Sequence, residues 1–442
     1  ITPPDNPDGP AWDPTSLEFI RNPAPAYGLD ANAHWRQRLT KGTYRQDTYF
    51  DNFWRPVVVH EYGTVGADPP RLRVTRHDPL DRPAFVSYPL ASLSDYLSTE
   101  LKGTTTTYDA LGRERSRLQS SELGPLLTDF EWQPGFRLRV TDPKNHVTTT
   151  DFQAWSEPTT DFPVRVASPE GQTTEWTRDV YGKPLRIARS TLVDGQLTTR
   201  ERHFGYDGLQ RLCQRLEPET GLHIYAYDAA DNLDWSAHGL NPSTINFGQI
   251  FANGFEDGQL PAPGVVDCGR ATVSAAERIT RGYDTRNRLL SIDHPDATAD
   301  IQHTYHADGT LWTASRNGSV WTYQYNSLGL LKSEKLEYLA QTREFLHGYN
   351  TRGQPSSLTW PDASLLGYEP NVFGEPTRVG NYAQAIGYHP DGGLAQATYG
   401  TGIAHTRTPN DRFLPQRLLY TAGPSTLVDY QYVYDENANV ES

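Results

Sequence analysis

The sequence predicts an all-β protein, a repeat array of short antiparallel strands and hairpins that winds into a curved wall or partial β-barrel. Three observations carry this. One short phrase opening on an aromatic residue returns about every twenty residues along most of the 442-residue chain. The composition pairs 25 Tyr and 10 Trp with 36 Gly and 33 Pro and contains no Met, so strand formers and turn formers dominate over helix formers. No sustained 3.6-residue apolar period accompanies them.

The repeated phrase is an aromatic, then Asp or Asn, two loosely chosen residues, often Gly, then often Arg and an apolar residue. It reads Tyr108-Asp109-Ala110-Leu111-Gly112-Arg113, then Tyr206-Asp207-Gly208-Leu209-Gln210-Arg211, then Tyr283-Asp284-Thr285-Arg286-Asn287-Arg288. A variant, Tyr227-Asp228-Ala229-Ala230-Asp231-Asn232, is echoed by Tyr434-Asp435-Glu436-Asn437-Ala438-Asn439. Looser copies begin at Phe50, Tyr325 and Tyr349, and Tyr283, Tyr305, Tyr325, Tyr349, Tyr368 and Tyr388 stand 19 to 24 residues apart. The Asp or Asn is suited to accept a hydrogen bond from backbone two residues on and close an Asx-turn. The Gly, or Asn in its place, tolerates positive φ at the end of the turn. The Arg and the apolar residue start the next strand. Every copy carries the same kind of group, so Asp109, Asp207, Asp228, Asp284 and Asp435 read as structural groups.

Between phrases a second turn is expected. Asn317-Gly318 is the strongest two-residue hairpin signal and predicts a type I′ turn with Arg316 opposite Ser319 and Ala314 opposite Trp321. One face of that hairpin then carries Trp312, Trp321, Tyr323 and Tyr325. This stripe reads as cross-strand packing, with a sugar platform as the alternative. His294-Pro295-Asp296-Ala297 and Trp360-Pro361-Asp362-Ala363 predict further turns. A strand pair cannot bury its apolar face alone, so the array must close or wind on itself.

Residues 1–48 lack the phrase and read as an N-terminal extension or cap, or a plug for the barrel end, with one short helix over 31–39. Phrases fill 49–236 and 280–442, the latter ending in mid-repeat. Residues 237–279 read as an insertion at a hairpin tip and carry Cys268. Cys213 and Cys268 are the only cysteines and form no CxxC pair. They make one disulfide if the protein is exported, or two buried thiols. The chain has no initiator Met and no signal-like apolar start, so it is read as processed or as one piece of a longer polypeptide.

The formal charge of −14 is the wrong sign for a phosphate-binding surface, and no nucleic-acid partner is expected. No apolar run is long enough to span a membrane as a helix. The chain contains no GxSxG elbow, P-loop, HExxH or EF-hand loop, and His60-Glu61-Tyr62-Gly63 is not a zinc motif. No enzyme activity, metal or cofactor is therefore expected.

The Tyr-Asp-x-x-Gly-Arg phrase resembles the Rhs/YD-repeat family, which includes bacterial Rhs polymorphic toxins, shell components of insecticidal toxin complexes, and the teneurins. The resemblance covers residues 49–442 apart from the insertion. It implies a β-sheet that spirals into a hollow cocoon, a secreted or cell-surface location, and a polypeptide partner, either a toxin cargo or the rest of a parent chain. Many such shells end in a self-cleaving core with an Asp-Pro-x-x-Gly region. Asp78-Pro79 and Asp142-Pro143 stand too early and lack the glycine, so that role does not transfer to them. An adhesin binding cell-surface glycans through exposed aromatics is the rival expectation, and an enzyme hidden in the insertion or N-terminal piece is the remote one.

Overall fold

A computed structural model describes every residue except 23, 31–33, 67, 155–158, 242–267, 269 and 442. Twenty-seven strands, from Thr15–Arg21 to Leu365–Gly367, form one sheet, and a second sheet of five runs from Ala383–Tyr388 to Ser425–Gln431. Within each sheet every strand pairs antiparallel with the next in chain order, as Thr15–Arg21 does with Trp35–Lys41 and Trp35–Lys41 with Tyr44–Phe50. The two sheets are joined through residues 368–386, where Ile386 N–H donates to Thr377 C=O at 3.1 Å. Among the described residues there is no α-helix, only 3₁₀ turns at Arg270–Thr272 and Ala275–Glu277.

A meander sends alternate connections to opposite edges of the sheet. The aromatic-Asp phrases therefore all fall on one edge, the phrase edge, as in the turns 109–113, 207–211 and 284–288. The opposite edge, the hairpin edge, carries the connections between them. Asn317 and Gly318 have φ of 48° and 75°, and Arg316 pairs with Ser319 and Ala314 with Trp321, the register and turn type read from the sequence.

The sheet is one layer thick over most of its length, so large apolar clusters occur only where a loop folds back over it. Val273, in the insertion, seats on Leu222, Ile224, Trp235 and Ala237. Near the start, the segments around Leu29 and Leu90 cover Tyr49, Val57, Val58, Leu72 and Val74.

The N-terminal residues differ from the sequence expectation. Trp35–Lys41 is a strand, not part of a helix, and Ala31–Ala33 lie outside the described residues. The reason is a two-residue period. Arg36 and Arg38 point to one face and both reach buried Asp47, at 3.5 and 2.7 Å. Trp35 stacks with Phe19 and Trp54, with ring centroids 5.6 and 5.5 Å away. A helix would scatter these groups around its axis.

Replacing Asn317-Gly318 by Val-Val should cost on the order of 1–3 kcal/mol, because both positions hold positive φ. A lowered urea midpoint with unchanged circular dichroism is the expected reading.

Candidate functional site

The phrase builds a clamp within each turn. In the copy at Tyr108, one oxygen of the Asp109 carboxylate accepts from the N–H groups of Leu111 and Arg113 at 2.9 and 3.0 Å. The other takes the Arg113 guanidinium at 2.7 and 2.6 Å. Gly112 N–H closes the turn onto Asp109 C=O at 3.0 Å. The same pattern recurs at Asp207 with Arg211 and at Asp284 with Arg288, a guanidinium nitrogen lying 2.8 and 2.7 Å from the carboxylate oxygen. At Asp228 an Asn232 amide replaces the guanidinium at 2.9 Å. Positive φ falls four residues after the aromatic whatever residue stands there, as at Gly112 (82°) and Gln210 (64°). In the Tyr206 copy the glycine, Gly208, is thus not the left-handed residue.

Successive clamps lock to one another. The hydroxyls of Tyr108, Tyr206, Tyr227, Tyr283 and Tyr434 donate to the C=O of Pro83, Pro184, Leu212, Leu233 and Pro415, between 2.8 and 3.0 Å. Each acceptor is the first residue after the preceding phrase turn. In return the Arg of one turn lies over the Tyr ring of the next, Arg82 on Tyr108 at 4.5 Å and Arg211 on Tyr227 at 4.8 Å. Arg211 also pairs with Asp231 at 2.6 Å. This lateral role of the Arg is not readable from one copy of the phrase, because its partners lie one repeat away.

Cys213 and Cys268 form a disulfide. Arg270 follows it and reaches the Asp207 carboxylate at 3.1 Å. Burial pushes that carboxyl up, but Arg211, the backbone N–H of Arg211, Arg270 and the N–H of Leu209 outweigh it and pull Asp207 down to about 2. Residues 242–267 of the insertion lie outside the described residues.

A seam brings distant parts of the chain together. The phrase turns from 326 to 439 sit on the hairpin edge of residues 8–144. Trp12 Nε1 donates to Ser327 Oγ at 2.9 Å, Asp13 N–H to Thr351 C=O at 2.8 Å and Arg352 to Thr43 at 2.7 Å. Further along, Arg71 pairs with Glu375 at 2.6 Å and lies 4.0 Å from the Phe373 ring centroid. Glu122 meets Arg412 at 2.6 Å, and Lys144 meets Asp435 at 2.7 Å. Hydrogen bonds to Lys144 and Asn439 hold the Asp435 carboxyl well below the usual carboxylate range. These partners are 288 to 338 residues apart in sequence. The sheet has made one full revolution and rests on its own edge. In the seam turns at Asn326, Asn350, Asn371, Asn410 and Asp435, the place of the clamp Arg is held by Leu330, Gln354, Glu375, Leu414 and Asn439. Asn410, Glu375 and Asp435 are turned across the seam, to Glu122, Arg71 and Lys144, whereas the Asn350 and Asn371 amides donate within their own turns.

Among the described residues no three His, Cys, Asp or Glu side chains converge as a metal site, and no helix is long and apolar enough to cross a membrane. In the 310–325 hairpin, Trp321 and Tyr323 are half-buried and stack on each other at 6.4 Å.

No family model matches the chain, and no curated protein is significantly similar to it. Solved structures are similar in fold. A chain of the TcdB2-TccC3 crystal structure aligns with all of this chain (100%) at a TM-score of 0.66 and 13% identity. A chain of TcdB2-TccC3-Cdc42 aligns with 98% of it at 0.63 and 14%. The Photorhabdus luminescens Tc holotoxin pore covers 91% at 11% identity, with a TM-score of only 0.39. This chain spans about a quarter of the length of the first two, 25% and 23%. The all-β wall is the shared feature.

Asp207→Asn should destabilise the protein by about 1–3 kcal/mol, as expected for charge-assisted hydrogen bonds at a buried carboxylate. Asp109→Asn, in an exposed clamp, should shift the midpoint less than Asp207→Asn does. The lowered folded-state pKa of Asp207 makes its contribution fully present above the ordinary value of 3.8 and lost as pH falls toward about 2. Urea midpoints of the wild type should drop through that window more steeply than those of Asp207→Asn, and parallel curves would reject this account.

Proposed function

We propose that this chain is a wall segment of a shell that encloses a polypeptide, and that it contributes no catalytic group of its own. The seam carries the reading. A sheet whose phrase edge docks on its own hairpin edge after one revolution has an inside. Twenty-five strands lie between Asp13 and Thr351. At about 4.8 Å per strand they make a ring about 120 Å around, on the order of 40 Å across. With side chains taking about 5 Å on each side, a lumen of about 30 Å remains. A folded 100-residue domain has a radius of gyration of about 13 Å and fills such a space, whereas a less compact chain threads it readily. The similarity of fold to the TcdB2-TccC3 chain supports a toxin-complex shell role, with a location outside the producing cell and a toxin polypeptide as the enclosed class. The glycan-adhesin reading has less support, because Trp321 and Tyr323 of the aromatic stripe stack on each other and Trp312 alone of its four rings is exposed.

The seam supplies the test. A flexible reporter peptide with one protease site, fused after Ser442, should be cut about tenfold or more slowly than the same peptide free in solution. Opposing like charges in the seam, with Glu122→Lys against Arg412 and Glu375→Lys against Arg71, should restore fast cutting while strand content stays unchanged. A shift of only ~1.4 kcal/mol in the opening equilibrium is enough for tenfold. Equal cutting of the wild-type fusion and the free peptide would overturn enclosure. Turnover of any substrate, abolished by a single substitution, would overturn the non-catalytic part.

A further inference from the structure

Strand Leu233–Leu240 leads into the insertion, and its last residues have few backbone ties. Among the described residues, strand Ile279–Tyr283 meets it at Trp235 and Ser236 alone, short of His238. On its other side the register slips between the pairs Leu222–Leu240 and Ile224–Ala237, so His238 and Gly239 stand against the single residue His223. Such a bulge leaves part of the ladder unmade. Side chains supply the tie instead. Val273 covers one face, on Leu222, Ile224 and Ala237. His223 and His238 alternate with these residues and so point to the opposite face.

On that face six residues form one chain of hydrogen bonds whose direction is set by its ends. Glu217 can only accept, and Thr220 Oγ1 donates to it at 3.1 Å. The Thr220 oxygen therefore accepts from His223 Nε2–H, 2.8 Å away. A neutral imidazole protonated at Nε2 has a bare Nδ1, which takes the proton of His238 Nδ1 at 2.8 Å. His238 Nε2 is then bare and accepts from Ser236 Oγ at 3.0 Å. Arg281 can only donate, and closes the chain onto Ser236 Oγ at 3.1 Å. Every member is satisfied with both rings neutral.

One further proton has no good place. On His223 Nδ1 it would set two N–H groups face to face. On His238 Nε2 it would take from the fully buried Ser236 hydroxyl the acceptor it has here. The surrounding charges oppose it too. Arg215 stands opposite His223 in the ladder, and Arg281 stands beyond Ser236. Glu217 is shared with Arg215 and Arg202, at 3.5 and 3.8 Å. Tyr225 meets the His238 ring edge-on at 6.0 Å, and Asp234 on the same face is exposed. His223 is buried, whereas His238 is exposed and can take a proton from water.

We infer that His223 and His238 form an acid-sensitive clasp on the strand that leads into the insertion: closed while both rings are neutral, it opens when His238 takes up a proton and turns out to water. Burial, the His223 ring, Arg281 and Arg215 hold His238 below its ordinary value, and burial and Arg215 hold His223 below its own against Glu217. A His whose folded-state pKa is lowered contributes fully above the ordinary value of 6.5 and loses that contribution as pH falls below it. The clasp concerns how two strands pair, so it stands apart from the enclosure reading.

Amide hydrogen exchange of the full chain, corrected for its intrinsic dependence on pH, provides the test. Between about pH 7.5 and about pH 5.5, where carboxylates stay ionised, peptides covering 233–240 should lose about tenfold or more of their protection. Strands Gly103–Tyr108 and Glu114–Gln119 should keep theirs. His238→Asn, whose amide donates and accepts but takes up no proton, should be flat over this range. Arg215→Gln removes a cation beside both rings and should move the midpoint of the response to higher pH, which a purely structural hydrogen bond would not do. Should His238→Asn fail to fold, Arg215→Gln decides alone. Protection of 233–240 that does not change with pH overturns the proposal. So does an equal loss in strands 103–119, a response that survives in His238→Asn, or a midpoint that Arg215→Gln leaves in place.

Discussion

The phrase Asp is the group on which the rest of the wall depends. Its carboxylate satisfies two backbone N–H groups that a five-residue turn leaves without partners, and in most first-revolution copies it fixes the guanidinium that reaches the next turn. A single-layer sheet has little core to hold it. The fully buried apolar groups gather under the loops near Leu29 and Val273, and elsewhere the wall is kept in register by hydrogen bonds along its phrase edge. Removing one carboxylate therefore costs a turn and weakens its tie to a neighbour. Exposed copies such as Asp109 contribute less than the buried Asp207, because water competes for the same partners.

Winding follows from what the turns present. The lateral tie from one Tyr to the carbonyl after the preceding turn holds neighbouring phrase turns together, so each phrase edge forms a continuous rail. Where the clamp Arg is present, the turn is complete in itself and sends its guanidinium sideways. Where Glu375 or Asn439 stands instead, Arg71 and Lys144 of the previous revolution take up the acidic groups. The seam pairs are more than exposed ion pairs, since the Arg412 and Asp435 side chains are only 4% and 3% exposed. Burial of that kind makes breaking one partner costly.

Much of this was legible in the sequence for a local reason. An Asx-turn, a positive-φ residue and an Asn-Gly hairpin are each settled within five residues, so Tyr108–Arg113 and Asn317–Gly318 could be read directly. The stretch from Trp35 was misjudged because its two-residue period is short and its partner, Asp47, lies on the next strand. The seam was not legible at all. Asp13 and Thr351 are 338 residues apart, and nothing in either neighbourhood names the other. A signal did exist in the phrase itself: the last copies lose their Arg together, which a reader comparing copies by position could have taken as a change of surroundings.

The two edges also differ in what they tolerate, and the lateral ties explain why. Phrase turns built on the motif keep one length, five residues from the Asp or Asn to the place of the Arg, from 51–55 to 435–439. Hairpin-edge connections range from the two-residue Asp194-Gly195 to the long segment that carries Cys268. A phrase turn lengthened by one residue would carry its Arg away from the next Tyr and break a tie on each side. A hairpin turn has no such rail, so it can grow at the cost of loop entropy alone, which rises slowly with length. The exception obeys the same rule. The connection between Phe152 and Pro163 lies on the phrase edge without the motif, and at the next turn Arg178 replaces the Tyr and still donates to Pro163 C=O, at 2.9 Å. The tie to the preceding turn is conserved in geometry where the residue that usually makes it is missing. Turns that carry the rail therefore hold one length, and the longer phrase-edge connections stand where the next turn brings no tyrosine hydroxyl, as at Phe50, or where another side chain restores the tie, as Arg178 does.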